Sequence, residues 1–447
     1  MSRKPKILVA GILDTKGNEI KFIAERVKSA GGEPTILELS VGKEVGWADI
    51  SVSEVVSNAG ISYEELLTMG KTERVETIVK GAIELVAKLM QQGKVNGIIA
   101  MGGSMGTSMA TRIMQTLPIG MPKVMLSTMA SGDVRPYVGT KDICMINPIA
   151  EVGLNIVTRK VLNNAAGAIV GMSSVPEPKI GKEKKLIGCM MFGVTTPTVL
   201  RASKYFEDRG YDVIINHAVG SGGQSMEEMI KDGYIVGMLD ITTHEIGDFL
   251  LGGVLSAGPD RLTAAGRKGI PQVVAPGGLD VINFGPADTV PEHYKNELNI
   301  PGRGFKVHNP MVTIVGTSLD EAYKIGEHIA EKLNQATGPT ALCIPLRGWG
   351  AYDTAGNFPQ LGWSEDKPSP CWVSDPEHPE RSWRATYFIN AMRKKIDRNK
   401  SNLDVLLVDR HMNEPEFADL MAELLDEMLS GSWRKGSHHN LPEIIEF

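Results

Sequence analysis

Cysteine is scarce, with four in 447 residues, at Cys144, Cys189, Cys343 and Cys371 and no CxxC pair among them. That spacing argues against a structural zinc knuckle and against a disulfide framework, and fits a reducing cytoplasm. No apolar run approaches the roughly twenty residues that a membrane span requires. The N-terminal run inside MSRKPKILVAG stops at Gly11, too short for a signal-peptide core. Long basic stretches are lacking too. With Lys and Arg at 47 against Asp and Glu at 53, the net charge is −6, so no concentrated positive face for a nucleic-acid backbone is expected. Neither a Gly-Lys-Ser/Thr closure nor a GxGxxG spacing marks the main glycine turn, which sets aside a Walker-type loop and the usual dinucleotide fingerprint.

What the chain has is glycine at strand ends. The apolar run Gly97, Ile98, Ile99, Ala100, Met101 breaks into Gly102, Gly103, Ser104, Met105, Gly106, and Thr107 and Ser108 lead into Met109, Ile113 and Met114 at helical spacing. This predicts strand, turn and helix. Glycine lets backbone N–H groups approach an anion, and the helix start adds its dipole and free donors, so the turn reads as a phosphate or carboxylate cradle. A tight structural turn is the plainer alternative.

At 447 residues and 42% hydrophobic content, two domains are the default. Lys6 to Ala10 predicts a buried first strand whose polar exit, Asp14, Thr15 and Lys16, opens a helix, as in doubly wound sheets that bind ligands beyond the carboxyl ends of their strands. Helix capping by Asp14 or Thr15, with Lys16 in solvent, is the bland reading. Thr35 to Leu39 predicts a second strand. Gly42 to Lys71 reads as an irregular excursion that covers a site or carries a subunit contact, and Thr72 to Gln92 as an amphipathic helix. Pro122 to Leu126 predicts a strand ending in Ser127, Thr128, Ser131 and Gly132, with hydroxyls for phosphate or ribose oxygens; an ordinary loop of turn formers is the alternative. Ser173 to Lys185, rich in Pro, Gly and charge, reads as a linker.

Beyond it the pattern restarts, with strands at Leu186–Met191, Tyr211–Asn216, Ile235–Leu239, Pro271–Ala275, Met311–Val315, Ala341–Pro345 and Leu403–Val408 in the sequence. Three pairs of segments resemble duplicates: KILVAGILDTKG with KLIGCMMFGVTTP, NGIIAMGGSMG with VGMLDITTHE, and GMPKVMLSTMASG with GIPQVVAPGGLD. The expected fold class is therefore α/β: two tandem doubly wound, Rossmann-like domains with mainly parallel sheets, enclosing an interdomain cleft. Residues 1–180 form the N-terminal nucleotide- or phosphate-binding domain and residues 186–434 the C-terminal domain. A Trp-rich insertion spans about 348–379, and the tail at 435–447 is read as a loosely tethered arm without a metal at His438 and His439. Ile282 to Arg303 reads as an irregular loop near the cleft.

Strand ends in the second domain gather Thr195, Thr196, Asp240, Thr242, Thr243, Gly277 and Gly278 as ligand contacts, and His217, Glu245, Asp280 and His308 as candidate proton-transfer groups, with Asp353 nearby. Glu245 suits a general base or metal ligand, and His217 or His308 a proton shuttle. A helix cap by Thr242 or Thr243, with Glu245 in the first turn, is the plainer reading.

The stretches DTK with Glu19, GGSMGTS, LPIGMPKVMLSTMASG, YVGTKDI, MFGVTTP, GGQSMEEMIKDGYIVGMLDITTHE and GGLDVINFGP together resemble the ATP-binding domain family of the tomato mosaic virus resistance protein and its bacterial members, over roughly Lys6 to Leu429. The resemblance implies two tandem α/β domains and ATP with Mg2+ as cofactors. It places Asp14, Thr15, Lys16, Gly102, Gly103, Ser104, Gly106, Thr107, Ser127, Thr128, Ser131 and Gly132 around the nucleotide. The chain departs from the pattern at Met105, where glycine is frequent in the family, and in its longer Trp-rich insertion.

Three functions follow as expectations. The first is binding of ATP or another phosphorylated ligand, with Lys16 on phosphate and Asp14 on Mg2+ or ribose. The second is an enzyme acting on a small anionic metabolite by ligation, phosphoryl transfer or hydrolysis. The third is a non-catalytic, nucleotide-regulated binding module. A dehydrogenase ranks below these, although Glu38 stands near the end of the second strand. A homo-oligomer is expected from the excursion and the Trp-rich segment, with neither nucleic acid nor membrane as partner.

Overall fold

In the computed structural model, residues 4–176, 183–356 and 371–447 are described. The chain divides into two compact units, Met1–Ile180 and Gly181–Phe447.

The first unit is a five-stranded parallel sheet. Strands β1 (Lys6–Gly11), β2 (Glu33–Glu38), β3 (Gly97–Gly102), β4 (Lys123–Ser127) and β5 (Cys144–Ile146) lie in the order β2-β1-β3-β4-β5. KILVAG and GIIAMG are buried nearly throughout, as expected of strands covered on both faces. One face carries helix Lys71–Gln91, which brings Ile78, Val79, Ala82 and Val86 onto Leu8, Ile98 and Ala100. On the other, helices Leu13–Ser29 and Ile156–Ser174 cover Ile7, Val9 and Ile99. The excursion after β2 folds into short helices Val52–Asn58 and Tyr63–Thr68, capped by Ser51 and Ser62. Val55, Val56 and Leu66 are buried in this unit's own core.

In the second unit, β6 (Leu186–Met191), β7 (Asp212–His217), β8 (Ile235–Thr242), β9 (Gln272–Gly277), β13 (Thr340–Pro345), β14 (Leu403–Val408) and β15 (Ile444–Ile445) form a seven-stranded sheet in the order β15-β14-β13-β9-β8-β6-β7. All neighbours are parallel except β15 on β14. Three further strands, β10 (Val281–Phe284), β11 (Phe305–Asn309) and β12 (Val312–Gly316), make an antiparallel sheet in the order β10-β12-β11. The mixed α/β, mainly parallel, two-unit fold thus agrees with the sequence.

Each pair of duplicate-like segments occupies corresponding strands: β1 and β6, β3 and β8, β4 and β9, each flanked in the same order. Two readings are corrected. Ile282 to Arg303 is not wholly irregular, because VINF pairs with β12 as an edge strand. The tail is not a loose arm: Ile444 and Ile445 pair with β14, and His439 Nε2 lies 2.9 Å from Asp404. In the Trp-rich segment, Trp349 is buried in the unit's own core, edge-on to Phe388 at 5.2 Å, and donates to Pro345 O. Trp363 lies outside the described residues.

Candidate functional site

In both parallel sheets the chain leaves the first strand one way and returns on the other side, so the crevice for a ligand lies between the carboxyl ends of β1 and β3 in the first unit, and of β6 and β8 in the second.

At the first crevice β1 delivers Asp14, Thr15 and Lys16, and the helix is interrupted at Lys16, whose backbone is non-helical. β3 delivers the glycine turn. A Cβ on Gly102 would stand 2.7 Å from the Gly106 backbone, so the turn closes only with glycine there. Gly103 is the N-cap of helix Ser104–Gln115, and no side chain caps that helix start. Its first N–H groups belong to Ser104, Met105 and Gly106, the orphan donors of any helix N-terminus. An open cleft of about 410 Å³ runs past this turn, lined by Asp14, Thr15, Gly42, Lys71, Arg74 and Met105. Arg74 donates to the backbone carbonyls of Met69, Val41 and Leu67, neutral acceptors, and makes no ion pair among the described residues. Asp14 and Thr15 are exposed, and Asp14 Oδ2 accepts the Gly42 N–H at 3.2 Å.

Other expected contacts are engaged elsewhere. Lys16 is buried, and its ammonium donates to the backbone carbonyl of Glu151 rather than standing free for a phosphate. Thr107 Oγ1 and Ser127 Oγ lie 2.6 Å apart and fully buried. Thr107 also donates to Gly103 O, and Ser127 accepts the Met129 N–H. These two hydroxyls fasten the β3 turn to the β4 turn. Thr128 and Ser131 form a short 3-10 turn closed by Ser131 Oγ on Thr128 O, with Gly132 exposed beyond it. The Glu151 carboxylate lies against Gly103, a like charge beside the place where an anion would sit. Glu38, the acid at the end of β2, accepts the Val45 and Val52 N–H groups. It anchors the excursion and is not presented to a ribose.

At the second crevice Phe192, following β6, stacks on His244 with centroids 4.6 Å apart and is tilted against His217 at 5.4 Å. Burial, and then the nearby His244, hold the His217 imidazole below its ordinary range. Thr195 and Thr242 hydroxyls bond each other at 2.7 Å, Thr243 donates to Ala275 O, and Thr196 to Phe192 O and Gly193 O. These threonines brace the strand ends. Gly277 closes against Ile241 O, and Gly278, at φ +75°, accepts His244 Nδ1–H at 2.8 Å.

Glu245 is a correction. Its Oε1 accepts the Gly220 and Gly223 N–H groups and its Oε2 accepts Arg261 Nε at 2.7 Å. Arg261 also clamps Asp240 through both terminal nitrogens at 2.5 Å. All three side chains are buried. Burial still raises Glu245, but a carboxylate with both oxygens spent is an anchor for the Gly220 turn, not a general base. His308 is exposed on β11, in the antiparallel sheet rather than at the parallel sheet's carboxyl edge.

Asp280 stands apart. It is fully buried, and neither carboxylate oxygen makes a hydrogen bond among the described residues. Burial, then the charge of Asp353, push it up to about 7. Asp353 is held by Trp349 N–H, Ser382 Oγ and Arg384 Nη1 at 2.7 Å. Burial raises the Asp353 carboxyl too, against the pull of Arg384, so both members of this buried pair are pushed toward the protonated form, and Asp280 is the one without hydrogen-bond partners among the described residues. His244 Nε2, also buried and unbonded, faces Asp248 at 3.5 Å. No group of three or more His, Cys, Asp or Glu among the described residues is placed to hold a metal ion, and none of the described helices is long and apolar enough to cross a membrane.

Residues 5–178 match the N-terminal domain, and residues 184–429 the C-terminal domain, of the Uncharacterised protein family UPF0261. The chain belongs to that family. A UPF0261 protein of Clostridium tetani is 42% identical over 427 residues, covering 95% of this chain and 99% of the relative. One from Rhizobium meliloti is 39% identical, covering 93% and 96%. The ToMV susceptible protein tm-1(GCR26) of Solanum lycopersicum is 32% identical over 450 residues, covering 96% of this chain but 56% of that protein. In this UPF0261 member the sequence reading missed Arg74, Lys71, Glu151 and Arg384. Each comes from a helix or loop remote in sequence from the strand it faces.

Proposed function

We propose that the N-terminal unit binds a phosphorylated ligand at the carboxyl ends of β1 and β3, with ATP carrying Mg2+ as the first candidate. The observation that carries this reading is the uncapped start of helix Ser104–Gln115, opening onto a cleft that also holds Lys71 and Arg74. ATP comes first because of the motif resemblance. Asp14, a single exposed carboxylate at the crevice, suits Mg2+, which takes one or two carboxylates and completes its shell with phosphate oxygens and water. Lys16 acts in this reading as a buried positive charge beneath the turn rather than as a direct ligand.

Asp280 supports a catalytic role for the C-terminal unit over a purely sensing one. A buried carboxyl titrating near neutrality can give or take a proton at physiological pH, which is what a proton-transfer step uses. The substrate class is a small anionic metabolite. Calorimetric titration of wild type and Gly103→Glu with ATP-Mg tests the binding reading. Wild type gives saturable heat and the variant gives none, whereas silence from both refutes it. Phosphate release or product formation on incubation with ATP and metabolite pools separates turnover from stoichiometric binding.

A further inference from the structure

The segment after β5 crosses the carboxyl edge of the first sheet. It leaves that edge strand at Ile146, passes the glycine turn that follows β3, and enters helix Ile156–Ser174, which packs beside the first helix. Three contacts fix its course. Glu151 O accepts the Lys16 ammonium, the Gly153 N–H donates to Glu19 Oε1 at 2.7 Å, and the Glu151 carboxylate fills the space that a Cβ on Gly103 would need. That carboxylate makes no hydrogen bond or ion pair among the described residues. It meets the uncapped start of helix Ser104–Gln115 through charge alone.

The tip of the segment is held by little else. Pro148 is buried and Leu154 packs on the core, but between them Ile149 is 66% exposed and Val152 65%. Ile149 also stands at φ +69°, a left-handed conformation that a β-branched residue rarely adopts, and Gly153 at φ +102° turns the chain back. Lifting the tip therefore uncovers no apolar core, breaks two hydrogen bonds and releases one strained residue.

We infer that residues 149–153 are a displaceable strap: closed, it sets Glu151 in the place of the anion, and a bound anion drives it off. The inference rests on the anion-binding reading above. Two negative charges at one helix start repel, so the ligand and the Glu151 carboxylate exclude each other. A phosphate wins by bonds that Glu151 does not make, to the N–H groups of Ser104 to Gly106. The strap thereby lowers the affinity of the site by the fraction of molecules in which it is closed.

Mass-spectrometric hydrogen exchange of the full chain, with and without magnesium triphosphate, and calorimetry of wild type and Gly153→Ala with the same probe test this. Triphosphate speeds exchange over residues 149–155, where the Gly153 N–H loses Glu19, and slows it at Ser104 to Gly106. An added Cβ on Gly153 meets nothing within 4 Å and changes no charge, but it strains the closed course at φ +102°. Gly153→Ala therefore tightens triphosphate about threefold or more. Binding of triphosphate with unchanged or slower exchange over 149–155 overturns the inference and leaves the anion site standing. Equal or weaker binding by Gly153→Ala also overturns it, by reducing the segment to scaffold. If wild type does not bind triphosphate, the anion-binding reading itself fails and this inference with it.

Discussion

Replacing Asp280 by Asn should stabilise the second unit, and more so as pH rises. The substitution keeps the shape of the side chain and removes its charge. In the folded unit the carboxyl moves from an ordinary 3.8 to about 7, because burial and the Asp353 charge oppose ionisation more than Arg384 favours it. The folded protein therefore holds this proton to higher pH than the unfolded chain. The resulting contribution to stability is fully present below about 3.8 and is lost as pH rises to 7. Three pH units at 1.36 kcal/mol each make a penalty of ~4 kcal/mol above neutrality. Between pH 5 and pH 8 the span still titrating is two units, so Asp280→Asn should gain ~3 kcal/mol on wild type over that interval. Urea unfolding at fixed pH values, followed by tryptophan fluorescence, reads the difference. Trp349, Trp383 and Trp433 all lie in the second unit and report on it. A variant-minus-wild-type difference that stays constant from pH 5 to pH 8 refutes the reasoning, and with it Asp280 as a proton carrier. A gain in stability on removing a group is the pattern of a residue retained for function.

Arg261→Met leaves Asp240 and Glu245 buried without their cation and should cost about 3–5 kcal/mol in denaturant unfolding; a loss under 1 kcal/mol would show the network relaxing onto water. Gly102→Ala forces open a turn in which the new Cβ meets the Gly106 backbone at 2.7 Å, and should cost about 1–3 kcal/mol of stability together with the ATP-Mg heat. Glu151→Gln removes a like charge beside the anion cradle and should tighten triphosphate binding about fivefold at low salt, the gain shrinking as salt is raised. NMR titration of His217 should give a midpoint below 6.5, the direction set by burial and then His244.

The parallel sheets were legible because their strands are continuous apolar runs that end at glycine or at small hydroxyl residues, as KILVAG and GIIAMG do. The duplicate segments carried topology as well, since strands at equal distance from each first strand fall at equal places in the sheets. VINF was read as part of an irregular loop and FKVHN went unassigned, because an antiparallel strand of four or five residues is too short to show a period, even where, as in VINF, every residue is buried. The site was legible as far as strand ends go. Asp14, Thr15 and the glycine turn meet at one crevice, and Asp280 and His244 each lie at the carboxyl edge of the second sheet. Which hydroxyls and carboxylates are free was not legible, because that depends on partners remote in the chain: Thr107 is consumed by Ser127, and Glu245 by Arg261 and two glycine amides. A sequence shows where a donor arises but not what already occupies it.

The most direct test of the central claim is a crystal structure of the full chain grown with ATP and magnesium. The account predicts phosphate density on the N–H groups of Ser104 to Gly106, with the metal at Asp14. Nucleotide density in the second unit alone, or a glycine turn that stays bare at saturating ATP, would contradict it.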